Sequence, residues 1–370
     1  MLMNDTDPYA YVNELRKTVN VLHENNIRVT LDVVFNHVYR AKDFDLGRML
    51  KGSCFRYLPD GKLAAGTGCG NEVKSEDVFV RAYLVEMVER YLELFDIDGI
   101  RMDLMGISDV DTVNLIYDSL IQKKEDFMVY GEGWHMGDVL ADDQRASIPN
   151  ADKMPHIAMF NDFFRETIIS YICGNHDIIS QVCDAIQATG PLNLKQSLNY
   201  TECHDGHTFY DRLQLYKAED PIEINLRRCQ LSYAIPLLSK GIPFIHAGQE
   251  FYRTKLLEKN SYNLPDKINQ LDWKLRQEHD SSCRIFEDLI SIRKENPCFN
   301  DPHAEMNFEF HDGLLKYRIG ELFILINTNS ITLSYDDGMS HHIIFDGETR
   351  CEKDASYMEF SPYSVVIIRD

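Results

Sequence analysis

Short β-rich runs alternate with amphipathic helical stretches from residue 8 to about residue 297. The run 29–35 (VTLDVVF) is β-branched and nearly all apolar, as expected of a strand buried on both faces. After it, Val80, Leu84 and Val88 recur on one stripe, which predicts a helix with Ser75 as its N-cap. Repeated strand–helix units favour parallel strands joined by right-handed crossovers. The alternation therefore predicts an α/β fold.

The same reading predicts two domains. Six parallel strands are expected at 29–35, 99–103, 127–132, 156–160, 197–203 and 242–246. They define a barrel-type domain over residues 1–298, with a polar loop excursion over 38–75. From about residue 300 short strands take over, and Asp312-Gly313 is a hairpin turn signal. We therefore expect a small antiparallel β domain, a β-sandwich, over residues 299–370.

The charge balance limits the classes of partner. Lys and Arg number 38 against 59 Asp and Glu, which gives a net charge of -21. Such a surface repels nucleic acid phosphates and anionic lipid, so we expect neither nucleic acid nor a membrane as a partner. A neutral substrate such as a carbohydrate meets no such repulsion. Hydrophobic residues make up 44% of the chain, enough for a substantial core.

The cysteines and the N-terminal segment bear on the compartment. The nine cysteines are odd in number and form no CxxC pair. The first residues, MLMNDTDPYAYV, lack the basic-then-apolar pattern of a signal peptide. No run approaches the roughly 18 apolar residues of a membrane span. Free thiols in a reducing cytoplasm are therefore the expectation.

Polar and charged residues cluster where four of the predicted strands end. The four segments are Asp32–His37, Arg101–Asp103, Glu132–Trp134 and Glu202–Asp205. An acid at one strand end is as often a helix cap or an ion-pair partner as a functional group. Because the carboxyl ends of parallel barrel strands converge on one face, four consecutive clusters indicate an active site.

The residue types in these clusters suit cleavage of an acetal. That reaction needs a proton donor at the leaving oxygen and an anion at the oxocarbenium-like centre. Arg101 and Asp103 are two residues apart in a strand, so both point to one face and the cation keeps Asp103 ionised. Glu132 lies among Tyr130 and Trp134, where we expect partial burial to favour a general-acid role.

The four segments resemble the signature regions of the α-amylase family of glycoside hydrolases, family 13, in that family's order. The matching stretches, on its third, fourth, fifth and seventh strands, are DVVFNH, GIRMDLMG, VYGEGW and YTECHDGHT. The resemblance implies a TIM (β/α)8-type barrel with Asp103 as nucleophile, Glu132 as acid/base and Asp205 as a third, transition-state-stabilising carboxylate. The residues that it places around the reacting sugar are His37, Arg101 and His204, with Asn36 and Asp32 behind them.

Within that family, the wording of several segments is similar to the type I pullulanases. They are MDLMG, GEGW, HAGQEFYRTK at 246–255 and SYNLPDKINQLDW at 261–273. The resemblance implies a retaining hydrolase of α-1,6 branch linkages in pullulan, glycogen or limit dextrins, with no required cofactor. Trp134 would then be an aromatic platform for a sugar face. Tyr262, Asn263 and Asp266 would contact the sugar chain, although such loop residues are as often only turn-forming.

The chain departs from the family pattern in two places. Its first recognisable barrel strand corresponds to the family's third, and a YNWGYDP-type segment with its sugar-stacking Tyr is not found. We therefore expect a barrel that lacks its first two strands, belonging to a longer or truncated product or completed by another polypeptide. Gly206 also stands where the family usually has Asn.

A metal site is not expected in the sequence. His204 and His207 enclose a carboxylate, but an HxxH at a strand end splits its imidazoles between faces. A structural calcium ion is compatible with the acidic loops, although no EF-hand-type spacing occurs.

Two other functions remain open at this stage. One is a catalytically impaired homologue that acts only in glucan binding or assembly. The other is an α-1,4-acting amylase, neopullulanase or branching enzyme. The presence of Asp103, Glu132 and Asp205 favours an enzyme.

Overall fold

The computed structural model describes residues 9–50, 52–137 and 139–369. The chain forms two compact units, of which the first ends at Phe160 and the second begins at Asn161. All nine cysteines are free, as the sequence predicts. Among the described residues, no helix has the length and apolar character needed to cross a membrane.

The first unit contains a parallel sheet flanked by helices. The helices are α1 Ala10–Glu24, α2 Asp45–Met49, α3 Val78–Phe95 and α4 Val110–Ile121. The strands are β1 Thr30–Val33, β2 His37–Val38, β3 Asn71–Glu72, β4 Gly99–Met102, β5 Met128–Gly131 and β6 Ala158–Phe160. Short 3-10 turns cover Ala41–Asp43, Met105–Ile107, Asp142–Gln144 and Ile148–Lys153. Parallel pairing of β1 with β4, β4 with β5 and β5 with β6 confirms the first four predicted strands.

Helix α3 begins two residues later than a Ser75 cap would require. Asp77 is the N-cap, and its carboxylate accepts from the backbone N–H groups of Phe79 at 3.0 Å and Val80 at 3.4 Å. The Ser75 hydroxyl instead accepts from the backbone N–H of Asp109 at 2.9 Å. The Ser75 prediction is therefore wrong, because a contact from a distant segment engages its side chain.

The second unit carries the C-terminal antiparallel strands and seven further helices among the described residues. Its helices are α5 Asp162–Ile172, α6 Ile179–Gln187, α7 Phe209–Tyr216, α8 Ile222–Leu237, α9 Asp266–Asn269, α10 Trp273–Glu278 and α11 Asp280–Glu295. Its strands are β7 Ser197–Asn199, β8 Ile242–Pro243, β9 Met306–His311, β10 Leu314–Ile319, β11 Leu322–Asn327, β12 Leu333–Tyr335, β13 His341–Phe345, β14 Arg350–Ala355, β15 Met358–Phe360 and β16 Ser364–Arg369. Its 3-10 turns are Gln249–Phe251 and Pro297–Asn300. Strands β7 and β8 pair in parallel, as predicted.

The C-terminal strands form the predicted antiparallel sheet. Its order is β14-β13-β16-β11-β10-β9, and a separate pair joins β12 to β15. The β9–β10 hairpin turns at Asp312 and Gly313, whose φ angles are 49° and 80°. Two consecutive positive φ angles are the requirement of a two-residue hairpin turn, which explains the Asp-Gly pair.

This sheet shares its core with the helices of the second unit. Side chains of α5, α8 and α11 pack against β10, β11 and β16 in one buried cluster. The Tyr317 hydroxyl on β10 donates to the carbonyl of Leu238 at 2.9 Å, just after α8. The division into compact units therefore falls after Phe160, whereas the predicted domain boundary at 298/299 stays a prediction.

Replacing the observed cap tests this account of helix α3. The variant Asp77→Ala is expected to lose about 1 kcal/mol of unfolding free energy, because two backbone N–H groups lose their acceptor. Asp118→Ala, at an exposed position of α4, is the matched control and is expected to stay within about 0.5 kcal/mol of wild type. Urea unfolding followed by circular dichroism measures both, and equal stability of the two variants would contradict the assignment.

Candidate active site

One guanidinium gathers three carboxylates at the ends of three neighbouring strands. The register places Asp32 of β1 beside Arg101 of β4, and Glu132 directly follows β5. Arg101 Nη1 donates to Asp32 Oδ1 at 2.9 Å and to Asp103 Oδ1 at 3.1 Å. Its Nη2 donates to Glu132 Oε1. The predicted shared face of Arg101 and Asp103 is confirmed.

Burial differs among the members of this ion cluster. The side chains of Arg101 and Glu132 are each 8% exposed, while those of Asp103 and Asp32 are 24% and 62% exposed. Burial opposes the charge of Arg101, but Glu132, Asp32 and Asp103 outweigh it and raise the pKa of the guanidinium. Arg101 is therefore a fixed cation against which the acids are arranged.

The Glu132 carboxylate is held on both of its oxygen atoms. Arg101 occupies Oε1, and the backbone N–H of Leu104 donates to Oε2 at 3.0 Å. The expected burial is confirmed, but the surroundings are more polar than the sequence suggested. The reason is that the 3-10 turn after β4 directs its backbone toward the end of β5, where Gly106 N also donates to Glu132 O at 2.9 Å.

Asn36 and His37 approach Asp103 from the end of β1. Asn36 is 2% exposed, and its Nδ2 donates to Asp103 Oδ2 at 3.3 Å and to the Asp103 carbonyl. Its Oδ1 meets His37 Nδ1. His37 lies on β2, which pairs with β3 beside Gly70. A Cβ at Gly70 would lie 2.3 Å from the Val38 carbonyl oxygen, so the pairing requires glycine there.

Trp134 is half-buried in the segment that follows Glu132. A Cβ built at Gly106 would lie 1.8 Å from the Trp134 carbonyl oxygen, far inside van der Waals contact. Only glycine lets the two loops pass this closely. The position of the Trp134 backbone therefore depends on the glycine of the MDLMG segment.

In the second unit, the segment after β7 presents two exposed site candidates. The side chains of His204 and Asp205 are 55% and 64% exposed, and His204 Nε2 lies 3.6 Å from Asp205 Oδ2. Glu202, two residues earlier, is buried and accepts from the backbone N–H of Phe209. Its Oε1 also lies 2.9 Å from His246 Nδ1. The segment thus separates a buried acid from an exposed one.

Two further side chains secure this region, and sequence reasoning assigned them no role. Lys255 Nζ donates to the carbonyl oxygens of His204 at 3.0 Å and Gly206 at 2.6 Å. Arg253 Nη1 lies 3.1 Å from His246 Nε2. Both cations belong to the segment HAGQEFYRTK, at residues 246–255. The resemblance of that segment to the type I pullulanases was the sequence signal that could have drawn attention to them.

The loop with the remaining sugar-contact candidates is exposed. Tyr262 is 81% exposed, and Asn263 and Asp266 are exposed as well. Asn269 stabilises this loop by hydrogen bonds to its backbone. Its Nδ2 donates to the carbonyls of Ser261 at 2.7 Å and Leu264 at 3.0 Å. All three candidates are therefore accessible to a ligand.

Within each unit, the structure brings several of the candidates together. In the first unit, one hydrogen-bonded cluster contains Asp32, Asn36, His37, Arg101, Asp103 and Glu132. In the second unit, His204 and Asp205 adjoin each other. The catalytic and binding roles of these residues stay predictions.

Comparison with known proteins finds close relatives over most of the chain. The pullulanase of Bacillus subtilis strain 168 is 37% identical over 313 residues, which cover 80% of this chain and 44% of the relative. Its type I pullulanase crystal structure with maltose has a TM-score of 0.93 at 31% identity and covers 100% of this chain and 57% of its own. The pullulanase of an Anoxybacillus species, crystallised with maltotetraose, gives a TM-score of 0.93 at 30% identity, with coverages of 98% and 57%.

No protein-family model matches the chain. The chain spans about half the length of the relatives that it matches.

The close approach at Gly106 makes a direct prediction. The variant Gly106→Ala is expected to lower unfolding free energy by about 1–3 kcal/mol, because the new methyl group overlaps the Trp134 carbonyl. The matched control is Gly190→Ala, where a Cβ would meet only Phe163 at 3.9 Å. Chemical unfolding compares the two, and a Gly106→Ala variant as stable as the control would show that the loops do not need this contact.

Proposed function

This chain is a pullulanase homologue of the α-amylase family, and we propose that it hydrolyses α-1,6-glucosidic branch linkages in pullulan, glycogen or limit dextrins. The observation that carries the proposal is the sharing of Arg101 by Asp103 and Glu132 at the ends of adjacent parallel strands. Hydrolysis with retention needs two carboxyl groups close to one acetal, one as nucleophile and one as acid.

The chemistry divides between the two carboxyl groups. Asp103 is the more exposed of the pair, and Arg101 and Asn36 donate to its carboxylate and orient it, so it attacks the anomeric carbon. Glu132 gives its proton to the leaving oxygen and then takes one from the incoming water. Each carboxylate oxygen has two lone pairs, so Glu132 has room for the proton that it delivers while Arg101 and Leu104 still donate to it.

A third carboxylate and the family's barrel complete the proposal. Asp205 is proposed to stabilise the charge that develops on the sugar, with His37 and His204 donating to its hydroxyl groups. We propose that the parallel strands belong to the (β/α)8-type barrel of the family. The likeness to pullulanase structures over 98–100% of the chain supports the barrel.

The proposed ligand is an α-glucan chain. The Anoxybacillus and Bacillus structures carry maltotetraose and maltose, which supports this ligand class for the present chain. Trp134 offers an aromatic face to one sugar. The exposed side chains of Tyr262, Asn263 and Asp266 are proposed to contact sugars further along the chain.

Incubation of the purified chain with pullulan tests the function. The expected product is maltotriose, because pullulan joins maltotriose units by α-1,6 linkages. The variants D103N and E132Q each lose a group that acts at the acetal, so kcat is expected to fall by at least about a thousandfold. The matched controls D118N and E125Q, at exposed positions, are expected to keep wild-type turnover.

Other outcomes of the same experiment would reject the proposal in different ways. Panose as the main product would mean cleavage of α-1,4 linkages. Calorimetric binding of maltotriose without any product would mean a glucan-binding protein. Wild-type turnover by D103N and E132Q would move the chemistry to other residues.

Chelation of metal ions makes a separate prediction. Carboxylates carry out the proposed reaction, so excess EDTA is expected to leave pullulan hydrolysis within about twofold of the untreated rate. Loss of activity that calcium restores, with a parallel fall in thermal stability, would instead reveal a structural calcium ion.

A further inference from the structure

We propose that Lys255 is a positioning residue for Asp205, which it holds by binding the backbone on both sides of that carboxylate. Its Nζ donates to the carbonyl of His204 at 3.0 Å and to the carbonyl of Gly206 at 2.6 Å. A third bond reaches the carbonyl of Lys259 at 3.3 Å. Three carbonyl oxygens use all three donors of an ammonium group.

The backbone around Asp205 lies in an open turn that needs hydrogen bonds to hold it in place. Gly206 has a φ of 79°, and a Cβ there would meet nothing within 4 Å, so no side-chain packing restrains the turn at this residue. The Asp205 side chain is 64% exposed. A carboxylate on an open turn samples many positions unless its backbone is fixed. Cys203 Sγ donates to the Asp205 carbonyl at 3.6 Å, and Lys255 holds the carbonyls on both sides of it.

Lys255 is itself rigidly held. It is 1% exposed, and its backbone N–H donates to Asp211 Oδ2 at 2.7 Å. The Thr254 hydroxyl donates to the other oxygen of Asp211, which is fully buried at the start of α7. The ammonium group therefore belongs to a buried side chain with an anchored backbone, and not to a flexible surface lysine.

The charge of Lys255 adds to its effect. Burial and the nearby Arg253 lower the pKa of this ammonium group, while Cys203, Glu202 and Asp205 act in the opposite direction. Burial of a cation is costly unless its donors are hydrogen-bonded, as the three donors of Lys255 are. Removal of the ammonium group leaves three backbone carbonyl oxygens without this donor, which also costs stability. Positioning of Asp205 therefore has to be tested by a kinetic readout that a loss of stability alone does not change.

The inference rests on the proposed function, since it assigns Asp205 a part in hydrolysis. The variant K255M removes the charge and the three donors at nearly constant volume. Because misplacement of a catalytic group by about 1 Å costs up to a hundredfold in rate, kcat on pullulan is expected to fall about ten- to a hundredfold. KM is expected to stay within about twofold, and K294M, an exposed Lys→Met change on α11, is the matched control.

A double-mutant cycle separates positioning from general structural support. The cycle uses α-maltotriosyl fluoride as the substrate. Its fluoride leaving group needs little protonation, so kcat can be measured even for variants of low activity. If Lys255 acts through Asp205, K255M is expected to change kcat less than twofold in a D205N background. A similar tenfold or greater loss in both backgrounds would overturn the proposal.

The remaining outcomes also decide the question. Wild-type kcat in K255M overturns the inference while the proposed function stands, whereas an inactive wild-type chain rejects the proposed function itself. Circular dichroism checks folding of K255M, and K255Q, which keeps two donors without the charge, replaces it if necessary. Failure of both variants to fold would make Lys255 a structural residue and would overturn the inference.

Discussion

The rest of the site depends on the ion pairs between the Arg101 guanidinium and the surrounding carboxylates. Three carboxylates converge on it, and two of the four side chains are almost fully buried. Without the cation, Asp103 and Glu132 would repel each other at the ends of adjacent strands. Parallel pairing of β4 with β5 brings the carboxylates of Asp103 and Glu132 close together. The guanidinium offsets their repulsion and fixes their positions by donating to both.

Backbone geometry sets the precision of this arrangement. Gly106 allows the turn after β4 to touch the segment after β5, where the N–H of Leu104 donates to Glu132 and the carbonyl of Trp134 lies against Gly106. In the second unit a side chain fixes the backbone, since Lys255 Nζ donates to the carbonyls on both sides of Asp205. In both places, main-chain groups help to fix the side chains of the candidate site.

Sequence reasoning predicted the elements well where the pattern is local. Alternation located the six parallel strands, and Asp312-Gly313 located a hairpin whose turn requires two positive φ angles. It failed where a distant contact decides, as at Ser75, whose hydroxyl serves a backbone group 34 residues away. The role of Lys255 was not predicted for the same reason, because two of its three carbonyl acceptors lie 49 and 51 residues earlier in the chain.

The most direct test of the central claim is the anomeric form of the first product, followed by proton NMR during hydrolysis of pullulan. Two carboxyl groups gathered by one guanidinium predict a double displacement, in which the nucleophile and then water each invert the anomeric carbon. The α-anomer of the new reducing end is therefore expected first, before mutarotation. Initial release of the β-anomer would mean a single displacement by water and would contradict the roles given to Asp103 and Glu132.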